Sequence, residues 1–115
     1  MIGVNILTIQ VNPNGRLDVN LVATDYQFIL NYTNWVGTDN NKIAVKWKEN
    51  DFGVWLNGVE IFTDNVGVTP SVGTFNKLNL SSTNGATDAW LGETSQIQVF
   101  KTALSDAELL TLTTI

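Results

Sequence analysis

The chain has 115 residues, 43% of them hydrophobic and 15% charged, and six Lys+Arg against eleven Asp+Glu leave a net charge of −5. That length predicts a single domain over residues 1–115, and the shortage of cations argues against a nucleic-acid partner, which needs clustered Lys and Arg. Cysteine and histidine are both absent, which excludes disulfides, thiolate zinc sites, cysteine nucleophiles and serine–histidine triads within this chain.

Strand signals begin with the apolar, β-branched run 4–11. Pro13-Asn14-Gly15 marks a turn, and 16–21 then alternates strictly between apolar and polar. A third strand is expected over 26–32, followed by the polar loop Gly37-Thr38-Asp39-Asn40-Asn41. Further strands are expected over 42–48, 52–56, 59–63, 77–81 and 97–100. Turn signals spaced roughly 8–12 residues apart predict an all-β sandwich or barrel. One short helix closes the chain. Ser105-Asp106-Ala107-Glu108 has the form of a capping box, and the poor helix formers Thr111, Thr113 and Thr114 place its end within 110–112. No apolar run approaches the ~18 residues of a membrane span, and the first five residues lack a basic start, so no membrane insertion is expected.

The middle of the chain specifies a register. Asn57-Gly58 is a strong signal for a type I′ hairpin, and Asn50-Asp51 is read as a second two-residue turn. Together these turns pair Val45 with Leu56, Trp47 with Val54, Leu56 with Val59 and Val54 with Ile61, giving one apolar core face. The opposite face then carries Lys46, Trp55 and Glu60 in one row and Lys48, Gly53 and Phe62 in another. Three readings stay open for an outward Trp55: cover by the Lys46 stem with cation–π attraction, a stacking platform for a sugar ring, or burial against another subunit.

Few residues carry the pattern of chemistry. Paired-carboxylate catalysis on one strand face is limited to Glu60 and Asp64, with Glu93 or Asp88 as further partners for Glu60 in a cleft. Solvated strand and turn acids are the better reading of these residues, and no enzyme is expected. Oxygen-rich loops at Asp39, Asn40 and Asn41 and at Asn84 to Asp88 have the ligand types of a calcium site, without the spacing of a defined one. Asp39, Asn41 and Asp88 are the metal candidates; no other cofactor is expected. With Trp35 and Trp90 nearby, the same loops offer a carbohydrate rim. The candidate ligand-binding set is Trp35, Asp39, Asn40, Trp55, Glu60, Asn84, Asp88 and Trp90.

Two segments carry a family resemblance. Lys-Ile-Ala-Val-Lys-Trp-Lys-Glu-Asn-Asp-Phe-Gly-Val-Trp-Leu-Asn-Gly-Val-Glu at 42–60 and Ile-Gln-Val-Phe-Lys-Thr-Ala-Leu-Ser-Asp-Ala-Glu-Leu at 97–109 resemble the concanavalin A-like (laminin G-like) domains common in phage tail fibres and other virion adhesins. The resemblance implies an antiparallel β-sandwich of jelly-roll type with one short C-terminal helix. It implies a virion or extracellular setting, and cell-surface glycan or polysaccharide as partner. Related glucanases use a strand of alternating acidic residues, which this chain lacks, so hydrolase activity does not carry over. Family members carry strands ahead of the point where this chain begins. A sandwich lacking them leaves a sheet edge unpaired, which favours a homo-oligomer or pairing with fibre or virion chains. The expected function is therefore a non-catalytic, carbohydrate-binding recognition domain of a tail-fibre or virion adhesin. The alternatives are an oligomerisation module without sugar binding, and a carbohydrate-binding module of a secreted bacterial hydrolase.

Overall fold

The computed structural model describes residues 5–80 and 92–115. Strand β1 (Asn5–Val11), β2 (Leu17–Ala23) and β3 (Asp25–Tyr32) form one antiparallel sheet in the order β1-β2-β3. The turn at Pro13-Asn14-Gly15 forms where expected: Gly15 N–H donates to Asn12 C=O at 2.8 Å, with Gly15 at φ +85°. Proline presets the second turn position, and glycine accepts the left-handed conformation without a Cβ clash. Strand β2 is central, and its alternation sends Leu17, Val19 and Leu21 into the core. Its other face holds Asp18, buried but bonded by Arg16 Nε at 2.7 Å and by the side chains of Gln10 and Asn12.

The second antiparallel sheet has the order β4-β5-β6, from β4 (Ile43–Lys48), β5 (Asp51–Leu56) and β6 (Val59–Asp64). Asn57 and Gly58 at φ +51° and +82° make the expected hairpin turn. The β4–β5 turn lies instead at Glu49-Asn50, with Asn50 at φ +56°. Asn50 is held there by Gly67: its N–H donates to Gly67 C=O and its Oδ1 accepts from Gly67 N–H, both at 3.0 Å. Val45 therefore faces Val54 and Trp47 faces Phe52, rather than Leu56 and Val54. The slip is an even number of residues, so each side chain keeps its expected face.

A β-bulge between Val54 and Trp55 corrects the other hairpin. Val54 pairs with Phe62, not Ile61, and Trp55 with Glu60. The extra residue lets Ile61 and Phe62 both pack against the core, so Phe62 is not on the outer face. Lys46 stands opposite Gly53, and Ala44 opposite Trp55. Val59, expected in the apolar face, is exposed at the hairpin tip of an edge strand.

The sheets meet through Leu17, Val19, Leu21, Phe28 and Leu30 of the first and Phe52 and Val54 of the second. Phe28 bridges them, its ring centroid 5.5 Å from that of Phe52 and 5.0 Å from that of Phe62. Each buried side chain of this size contributes about 1.5–3 kcal/mol of transfer free energy. The fold is an all-β sandwich with one short helix. The strands expected over 77–81 and 97–100 are absent among the described residues: 77–80 and 97–100 are irregular, and Ser81 lies outside them. Apolar alternation makes a strand only where a neighbouring ladder accepts its N–H groups. Without one, Ile97 and Val99 remain exposed.

Helix α1 (Asp106–Thr113) begins with the expected reciprocal cap. Glu108 N–H donates to Ser105 Oγ at 3.2 Å, and Ser105 N–H to Glu108 Oε1 at 3.1 Å. It continues to Thr113, past its expected end, because burial of Leu109 and Thr113 against the second sheet overrides the weak helix propensity of threonine, whose hydroxyls bond back to carbonyls one turn earlier. Thr111 Oγ1 donates to Ala107 C=O at 3.0 Å and Thr113 Oγ1 to Leu109 C=O at 2.7 Å. The helix packs on β4, β5 and β6 with Leu109 and Thr113 buried. Gly58 N–H donates to Thr113 Oγ1 at 3.2 Å, and Lys42 Nζ donates to Thr114 C=O at 2.9 Å.

Candidate functional site

The helix changes the meaning of the outer face of the second sheet. Trp55 lies on that face, as the register requires, but only 9% of it is exposed. It is a packed residue of the chain's own fold, not an open stacking platform. Lys46 is 7% exposed, with its ammonium 2.8 Å from both Asp51 Oδ1 and Asp106 Oδ1. Burial works against its charge, but hydrogen bonds to Asp106 and Asp51 outweigh burial and raise its pKa above the ordinary lysine value. Asp106 opens α1, so this ion pair clasps the helix to the sheet.

The other sequence candidates are dispersed. Trp35 packs against the core, and its Nε1 donates to Gly15 C=O at 2.8 Å. Asp39 and Asn40 are exposed. Asn41 donates to Val36 C=O at 2.9 Å and to Asp39 C=O at 3.0 Å, and accepts from Asn57 Nδ2 at 2.9 Å. Its amide is occupied in bracing the loop against the β5–β6 turn. No group of three acidic side chains able to hold a metal ion occurs among the described residues. Glu60 is exposed beside Trp55, whereas the bulge sends Asp64 to the opposite side, where Oδ1 accepts from Val66 N–H at 3.1 Å. The one same-strand carboxylate pair is thereby split across the sheet. Glu93 is exposed; Asn84, Asp88 and Trp90 lie outside the described residues.

A cleft that the sequence did not announce lies at the end of β4. It is an open depression of about 520 Å³ lined by Trp47, Lys48, Glu49, Thr69, Lys101, Thr102 and Ala103. Trp47 is half-buried because β4 is an edge strand: the indole packs against the core while also lining the cleft. Phe75 braces it edge-on, 6.2 Å between centroids at 64°. Thr69 is positioned by a strap after β6, where Gly67 pairs with Asn50 and Val68 N–H donates to Gln27 Oε1 at 2.9 Å. Gly67 has φ +151°, and a Cβ there would lie 2.5 Å from Phe52 Cε2. The described residues that line the cleft thus bring together a tryptophan, two threonines, one glutamate and two lysines. Such a mixture suits a polar ring-shaped ligand with one apolar face. The signal available in the sequence was Trp47-Lys48-Glu49 at a strand end; Lys101 and Thr102 joined it only through the fold.

A second hollow of about 420 Å³, lined by Phe100, Leu104, Ala107, Glu108, Thr111 and Leu112, runs along α1 and is mainly apolar.

No family model matches the chain. No curated protein matches it either. Among solved structures it is similar to an S-layer domain-containing protein (residues 221-444) from Clostridium thermocellum ATCC 27405, with a TM-score of 0.56 and 15% identity. The match covers 96% of this chain and 57% of that one. At this identity the likeness speaks to fold alone.

Proposed function

We propose that this chain is a non-catalytic recognition domain that binds cell-surface carbohydrate, of the kind carried by tail-fibre and virion adhesins of the concanavalin A-like type. The observation that carries the reading is the Trp47 cleft, an open depression of about 520 Å³ lined by a tryptophan with threonine, glutamate and lysine residues. An indole face takes up the C–H face of a pyranose, and the polar groups bond its hydroxyls. The wide mouth of the cleft suits an internal unit of a polysaccharide. A virion or extracellular location belongs to the proposal, and the S-layer name of the structural neighbour agrees with a surface setting.

The test is a glycan array followed by calorimetric titration of the hits. Binding is expected at micromolar to millimolar ligand and lost in Trp47→Ala, with the far-ultraviolet circular dichroism unchanged. A blank array at millimolar ligand removes the reading. One observation favours an assembly module instead: Phe100, Leu112, Ile97 and Val99 are exposed apolar residues, the first two lining the hollow along α1. A concentration-independent oligomer in light scattering, with no sugar bound, would establish that second reading.

A further inference from the structure

We infer that the ligand of the Trp47 cleft is an acidic sugar, a uronate-containing glycan whose carboxylate sits between Lys48 and Lys101. The inference rests on the carbohydrate reading above and adds the charge of the ligand.

Its basis is where the chain's few cations go. Of six Lys and Arg, Arg16 is spent on Asp18 and Lys46 on Asp51 and Asp106. Lys42 is held by Thr114 C=O. That leaves Lys48, Lys77 and Lys101, for which no ion pair is found among the described residues. Two of those three line one cleft. Eleven acidic residues are available to neutralise them, yet Lys48 and Lys101, from distant parts of the chain, both line this cleft. Solubility does not require this, since a chain of net charge −5 is already kept apart by its acids. Among the described residues that line the cleft Glu49 is the one acid, so their charges sum to one net positive. Its carboxylate accepts from sugar hydroxyls, while a lysine ammonium offers three donors to a ligand carboxylate.

The experiment titrates the full chain with short galacturonate, mannuronate, guluronate and glucuronate oligomers, each beside its carboxyl-methylated form. The free acid of at least one pair is expected to bind about tenfold more tightly than its ester in low salt, the scale of one charge-assisted hydrogen bond. The difference should shrink as salt screens the pair. Lys48→Ala combined with Lys101→Ala should bind acid and ester alike, whereas Lys42→Ala, outside the cleft, should keep the preference. Trp47→Ala should weaken both forms together. An ester that binds as well as its acid overturns the charge assignment and leaves carbohydrate recognition standing. A panel blank in both forms overturns it too, and the neutral glycans of the array then decide the broader reading separately.

Discussion

Lys46 sits in an environment that its residue type rarely adopts. Its side chain is 7% exposed, while its partners Asp51 and Asp106 keep 42% and 63% of theirs. Desolvation therefore falls on the ammonium, and the carboxylates stay wet. The two ways of breaking the cluster should differ for that reason. Lys46→Met removes the buried charge, keeps the apolar stem and leaves two hydrated acids, so it should cost under about 1 kcal/mol. Asp51→Ala together with Asp106→Ala strands the ammonium in the interior and should cost about 3 kcal/mol. Urea denaturation of the three proteins checks the ordering; equal losses would mean that the lysine reaches water.

At the level of elements, α1 decides which tryptophan matters to stability. The alternation of β4 and β5 puts Trp47 on the core face and Trp55 on the far one, which by itself predicts the larger loss at Trp47. The helix reverses that order by covering the far face, while the edge position of β4 leaves Trp47 half open. Trp55→Ala should cost about 3–5 kcal/mol, and Trp47→Ala no more than about 2 kcal/mol. Chemical denaturation with matched m-values reads both; a larger loss at Trp47 would detach the helix from this role. Six strands, the helix cap and the Asn57-Gly58 turn were legible because each is written locally, in alternation or in one short motif. What was illegible is non-local. The bulge at Ile61 depends on a ring stacking from the other sheet, and the turn at Asn50 on a backbone bond from Gly67. The cleft escaped for the same reason, since Thr69 and Lys101 reach Trp47 only through long connections. The loop candidates at Asp39, Asn40 and Asn41 had the right atom types, but the Asn41 amide serves the turn it sits in and Asp39 and Asn40 are exposed.

For the whole molecule, the absence of histidine shapes the response to pH. No side chain of ordinary pKa titrates between roughly 5 and 9, so stability should be flat there. Hydrogen bonds from Arg16, stronger than the opposing burial, hold the Asp18 carboxyl below its usual range. A lowered folded-state pKa gives stabilisation that is present above the unfolded value, about 3.9, and is lost as pH falls through the folded one. Lys46 has the opposite sign: raised when folded, it stabilises below about 10.4 and loses that contribution as pH climbs through its folded value. Thermal denaturation against pH should show a plateau with two falling limbs. Asp18→Asn should flatten the acid limb alone and Lys46→Met the alkaline limb alone. A bell centred near neutrality would contradict both assignments.

The strap behind the cleft leaves a mark on how this chain can diverge. Because a methyl at 67 would strike the Phe52 ring at the centre of the sandwich, the two positions cannot drift independently. Descendants that keep the aromatic ring must keep glycine fifteen places later, and those that lose the glycine must both have shrunk the ring and have rebuilt the strap, since φ +151° strains any side chain at 67 whatever the space. Comparison of distant natural variants should therefore find positions 52 and 67 exchanging size as a couple, a signature that survives even where overall similarity has faded.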